Sequence, residues 1–231
     1  MMGLYRKNET LFAVLLIVVY VVVGGTLRNI GDDSPAMVVG LAVIAFGLLA
    51  FVARNGLGQK YGLARWTNNA RQMLYLAPLW IVTSANLWGG VEPHYAGVGL
   101  LCAIASMALV GLVEELLFRG FLFEAMLENG SATTAIVVSA VTFGIGHIVN
   151  LFTGHALLET GVQMVFAIAV GFMFTLVRYK GGSLLPCIVA HSLIDVFSVV
   201  SRESGVMDWI SLVVCVAVAV AYSIYLWRLK D

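Results

Sequence analysis

Six ionisable side chains fall inside long apolar runs, where water is scarce: Glu114, Glu115, Arg119, His147, His191 and Asp195. By membrane-insertion scales, an Asp or Arg at the centre of a span costs roughly 2.5–3.5 kcal/mol. Such residues persist when they pair, face a wet cavity or do chemistry. In Glu114-Glu115-Leu-Leu-Phe-Arg119, Glu115 and Arg119 stand at i,i+4 with the acid on the N-terminal side, the favourable order for a helical ion pair. Glu114 is displaced from Glu115 by about 100° around the helix. Arg119 can therefore neutralise one carboxylate and leave the other free, as water activation by a general base requires.

Two further clusters carry histidine. In Phe143-Gly-Ile-Gly-His147, Phe143 and His147 share a helix face, and Gly144 and Gly146 let a neighbouring helix or a substrate backbone come close. In His191-Ser-Leu-Ile-Asp195, the i,i+4 spacing lets the carboxylate set the imidazole tautomer, or lets both side chains reach one metal or water. Each cluster alone also reads as an interhelical pair with no chemistry. Depth joins them. On helices of 1.5 Å rise, Glu114 and His147 both lie roughly 23–26 Å from the Asn129-Gly130 turn. His191 and Asp195 lie about 15 and 21 Å beyond Gly181. All three clusters point to one polar site within a bilayer, entered from the cytoplasm.

The elements that must position them are membrane helices. Of the 231 residues, 61% are hydrophobic and 11% charged, with no net charge. A soluble domain averages about 45–50% apolar and about 25% charged. An ordinary soluble enzyme, a disordered chain and a nucleic-acid binder are excluded. Eight apolar segments run over 11–27, 36–53, 72–88, 97–127, 132–152, 157–177, 183–200 and 209–227, separated by turns such as Gly31-Asp32-Asp33-Ser34-Pro35 and Gly181-Gly182. Arg6 and Lys7 before the first segment imitate a signal peptide, but no A-x-A site follows, so it reads as an uncleaved span. Counting spans places Arg28 and Arg202 on one side and the other eleven of the 13 basic residues on the opposite side. By the positive-inside rule, both termini are cytoplasmic. The expectation is an all-α polytopic transmembrane bundle of about eight spans, a single domain over 1–231 with a catalytic core near 97–200. Cys102, Cys187 and Cys215 read as small packing residues, and His94 and His155 as solvated loop residues.

Glu114-Glu115-x-x-x-Arg119, Phe143-x-x-x-His147 and His191-x-x-x-Asp195, with the stretches EELLFRGF at 114–121 and GSLLPCIVAH at 182–191, resemble the CAAX protease and bacteriocin-processing (Abi-type) family of intramembrane endopeptidases. That family includes the type II CAAX prenyl endopeptidases. The resemblance covers roughly residues 97–200. It implies Glu114 as the base that activates water, His147 assisting or sharing a metal, Glu115 and Arg119 as the supporting pair, and His191 with the residue four on stabilising the oxyanion. The prenyl endopeptidases usually carry Asn at that last position. This chain has Asp195, which when ionised can accept hydrogen bonds but not donate them. Zinc held by His147, His191 and Glu114 or Asp195 fits the residues as well as a metal-free carboxylate mechanism does. The implied function is endoproteolysis of a peptide or protein substrate, prenylated or otherwise membrane-associated, in a prokaryotic cytoplasmic membrane. The alternatives are a non-catalytic binding or bacteriocin-immunity protein on the same scaffold, or a proton-coupled transporter.

Overall fold

The computed structural model describes residues 2–67, 69–153 and 156–229, with the side chains of 152 and 153 excepted. The architecture is all-helical. A short helix α1 (Met2–Lys7) leads into α2 (Glu9–Arg28) and α3 (Pro35–Arg54), followed by α4 (Ala77–Ser84), α5 (Gly97–Glu115), a π-helical stretch (Leu116–Leu122), α6 (Phe123–Asn129), α7 (Ala132–Gly146), α8 (Leu157–Gly181), α9 (Leu185–Val200) and α10 (Val206–Arg228). The π-helical stretch joins α5 and α6 into one apolar rod, Gly97–Asn129.

Local sequence explains the boundaries. Asn8 caps α2 by accepting a hydrogen bond from the Leu11 amide, 2.8 Å. Ser34 caps α3 just before Pro35, whose missing N–H costs nothing in a first turn. Ser131 caps α7, and Gly182, at φ +67°, ends α8 in the left-handed conformation that favours glycine.

Six helices are long and apolar enough to cross a membrane, and many large apolar side chains on their outer faces are exposed, as a lipid-facing surface requires. The other two expected spans are shorter. The 72–88 segment breaks up: Leu74, Tyr75 and Leu76 adopt positive φ, and the α-helix that follows has eight residues, or about 12 Å. Pro78, in its first turn, starts that helix and bars an earlier one. Helix α9 has 16 residues, about 24 Å against a hydrocarbon core of about 30 Å.

The two ends of the bundle differ. The start of α2 and the end of α10 lie at one end. There Lys60 bridges Glu9 (2.6 Å) and Glu128 (2.8 Å), Arg178 pairs with Glu124, and Lys180 reaches the Leu229 carbonyl. The loop after α3 seals this end: Gly62 (φ +67°) accepts the Leu184 amide at 2.8 Å, and an added Cβ would meet that nitrogen at 2.9 Å. At the far end, the segments after α4 and α9 pair through Glu92 N–H to Val200 and Arg202 N–H to Gly90. Helices α5 and α9 pack together at the centre, with α7 on α8, α3 on α5, and α10 against α8 and α4.

Candidate active site

Two close helix contacts assemble the site. Where α5 meets α9, Gly111 lies so near Ser192 that an added Cβ would stand 2.5 Å from its amide nitrogen and 2.7 Å from its Cα. Ser192 Oγ also donates to the Ala108 carbonyl, 2.8 Å. Gly111 is one turn from Glu114 and Glu115, and Ser192 adjoins His191, so this contact sets the distance between acid and imidazole. Where α7 meets α8, a Cβ on Gly144 would stand 2.3 Å from an Ile168 side-chain carbon. The close approach expected at Gly144 is therefore a helix contact, whereas Gly146 meets nothing within 4 Å and lines a cavity.

All six expected residues converge. Glu115 and Arg119 are fully buried and paired at 2.8 Å. The same Glu115 Oε1 also receives His191 Nδ1 at 2.9 Å. A carboxylate already holding a guanidinium accepts only, so Nδ1 must carry the hydrogen. Nε2 in turn faces Glu114 Oε2 at 3.8 Å and Asp195 Oδ2 at 3.6 Å. Arg119 lies over the Phe143 ring, 4.0 Å from its centroid, and near Phe174 at 5.6 Å. Phe143 meets both His147 and His191 edge-on, at 5.6 and 5.5 Å. The π-helical stretch carries Arg119, placing a widened turn where the buried pair forms.

Glu114 looks elsewhere. Its Oε1 accepts a hydrogen bond from Tyr20 on α2, 2.8 Å. It lines a small cavity of about 50 Å³ with Tyr20, Arg28, His147 and Asn150. The volume suits one or two waters beside a carboxylate and an imidazole. The cavity walls come from the last turns of α2 and the chain just after α7, so it lies in the half of the bundle away from the start of α2 and the end of α10.

Asn150 Nδ2 donates to Gln163 Oε1 at 2.6 Å. Gln163 lines a larger cavity, of about 600 Å³, so this bond forms part of the partition between the two spaces. His94, exposed in its loop as expected, also borders the larger cavity and bonds the Ser201 carbonyl at 2.9 Å. His155 lies outside the described residues.

Tyr20, Arg28 and Asn150 escaped the sequence reading. Tyr20 had a usable signal, since aromatic hydroxyls favour span ends and this one sits inside a span. The pair Gly24-Gly25 before Arg28 was another: both glycines line the cavity that Arg28 enters.

Zinc needs three or more converging donors. Among the described residues, no three His, Cys, Asp or Glu side chains are grouped to hold a metal ion. His191 Nδ1 is engaged with Glu115 and Glu114 Oε1 with Tyr20, which leaves His191 Nε2 and Glu114 Oε2 as their remaining donor atoms.

Fold and site together define an integral membrane helical protein with a buried carboxylate–imidazole centre. Residues 95–197 match the model of the family described as type II CAAX prenyl endopeptidase Rce1-like, which bears out the resemblance read from the motifs. The chain is also 25% identical over 204 residues to the Bacillus subtilis (strain 168) protein named "Putative membrane peptidase YdiL", covering 85% of this chain and 70% of that protein. No solved structure matches.

Proposed function

We propose that this protein is an intramembrane endopeptidase of the prokaryotic cytoplasmic membrane, in which Glu114 activates water without a metal. The observation that carries the reading is the division of labour between adjacent carboxylates. Glu115 is locked by Arg119 and His191, while Glu114 opens on a water-sized cavity shared with His147. The Rce1-like match and the named peptidase relative support the reaction class.

The chemistry balances on these groups. Glu114 takes a proton from a water as its oxygen bonds the scissile carbonyl carbon. The carbonyl π pair moves to oxygen, giving a tetrahedral oxyanion. Collapse breaks the C–N bond, and the proton held by Glu114 passes to the leaving amine. His147, on the same cavity, orients the water. Glu115 and Arg119 position His191 beside the reacting centre. The substrate is a membrane-associated peptide. A groove of about 930 Å³ between α8 and α10, lined by apolar residues such as Leu158, Val162 and Leu212, shares those three with the 600 Å³ cavity and offers a prenyl or other apolar chain a path towards it.

The test is cleavage of farnesylated and unmodified peptides by purified protein in detergent, read by mass spectrometry. Wild type is expected to cleave, and Glu114→Gln and His147→Ala to lose at least about a hundredfold. Activity should persist after exhaustive chelation. Loss on chelation, restored by zinc, overturns the metal-free route; a Glu114→Gln variant as active as wild type overturns the reading as a whole.

A further inference from the structure

A tetrahedral oxyanion needs hydrogen-bond donors aimed at it. The residues around Glu114 are poor in them. Glu114 and Asp195 accept when ionised, His191 spends its Nδ1–H on Glu115, and His147 faces the water it orients. Tyr20 directs its hydroxyl at Glu114, and Asn150 directs its amide at Gln163. Arg28 is different. It stands at the last residue of α2, where two glycines one turn earlier leave its side chain room to lie along the cavity wall. Its guanidinium is half-buried and within electrostatic range of Tyr20, Glu114 and Asp195, as well as Asp32. Among the described residues it has no hydrogen bond or ion pair. A guanidinium carries five N–H donors and cannot lose its charge.

We infer that Arg28 is a catalytic residue, donating to the oxyanion from the wall of the cavity that Glu114 lines and taking the part that acceptor-only Asp195 cannot play. The inference rests on the peptidase reading. It explains how a carboxylate is tolerated at position 195: the cation across the cavity supplies the donor and offsets the extra negative charge.

Asparagine at 195 presents an amide donor where aspartate presents none. A four-protein comparison, wild type, Arg28→Gln, Asp195→Asn and the double variant, therefore tests the idea, with Glu114→Gln as control. Arg28→Gln should lower kcat about 10²–10³-fold with little change in KM. Asp195→Asn placed in the Arg28→Gln background should restore at least about tenfold of that loss, a rescue that a merely structural arginine does not give. Arg28→Lys should retain more activity than Arg28→Gln, and all variants are compared at equal folded fraction from thermal unfolding in detergent. Equal activity of Arg28→Gln and wild type, or a double variant no better than Arg28→Gln, overturns the role of Arg28, while an inactive Glu114→Gln leaves the peptidase reading standing. If Glu114→Gln cleaves as wild type does, the peptidase reading fails and the Arg28 assignment falls with it.

Discussion

Replacing Gly111 by alanine should separate the acid from the imidazole without touching either. A Cβ there stands 2.5 Å from Ser192 N and 2.7 Å from its Cα, where ordinary contact begins at 3.4 Å. Both opposing atoms are backbone, so no rotamer change relieves the clash and α5 and α9 must part by about 1 Å. The 2.9 Å bond from His191 Nδ1 to Glu115 would lengthen to about 3.9 Å, beyond hydrogen-bond reach. A misplacement of that size costs about 10² in rate, and the overpacking itself about 1–3 kcal/mol of stability. The assay pairs kcat in detergent with thermal unfolding. Gly47→Ala, on α3 with nothing within 4 Å of the new atom, is the control and should leave both unchanged. A folded Gly111→Ala protein with wild-type kcat would refute the claim that this contact sets the catalytic distance.

Arg119→Met leaves the fully buried Glu115 with one cation fewer and should cost about 3–5 kcal/mol, seen as a large fall in unfolding temperature in detergent. Pairing it with Glu115→Leu should recover much of that stability but no activity, since His191 then lacks its acceptor. Tyr20→Phe removes only the hydroxyl that bonds Glu114; a buried hydrogen bond to a charged group contributes about 1.5–3 kcal/mol to stability, so the unfolding temperature in detergent should fall, and kcat should fall about tenfold as Glu114 loses the donor that orients it.

The six residues chosen from the sequence meet because charge is expensive in an apolar chain, and expense makes position informative. Glu115, Arg119 and His191 could be assigned as partners because i,i+4 spacing and depth are properties of any helix. Tyr20 and Arg28 were hidden for opposite reasons. A tyrosine in an apolar helix costs little, so the mid-span position of Tyr20 is a fainter signal than a charge would be. Arg28 lies at a span end, where a basic residue reads as a topology marker; only the three-dimensional path past Gly24 and Gly25 shows that it turns inward. The 72–88 segment was misjudged as one span because hydropathy carries no sign of the left-handed run at Leu74–Leu76. A peptide unit's conformation there is decided by tertiary packing around buried Met73 and Leu76, which hydropathy does not encode.

The two short helices, α4 and α9, lie side by side. Helix α9 is about 24 Å long, some 6 Å less than the hydrocarbon thickness of a bilayer, and α4 about 12 Å. Lipid must dimple to match, at fractions of a kcal/mol per ångström. The dimple falls beside the 600 Å³ cavity that Asn86 and Ile194 border, bringing headgroups and water toward catalytic helix α9 from the side rather than from the end. Membrane thickness then becomes a control variable: shorter-chain lipids relieve the mismatch, and thick, sterol-like bilayers tax it.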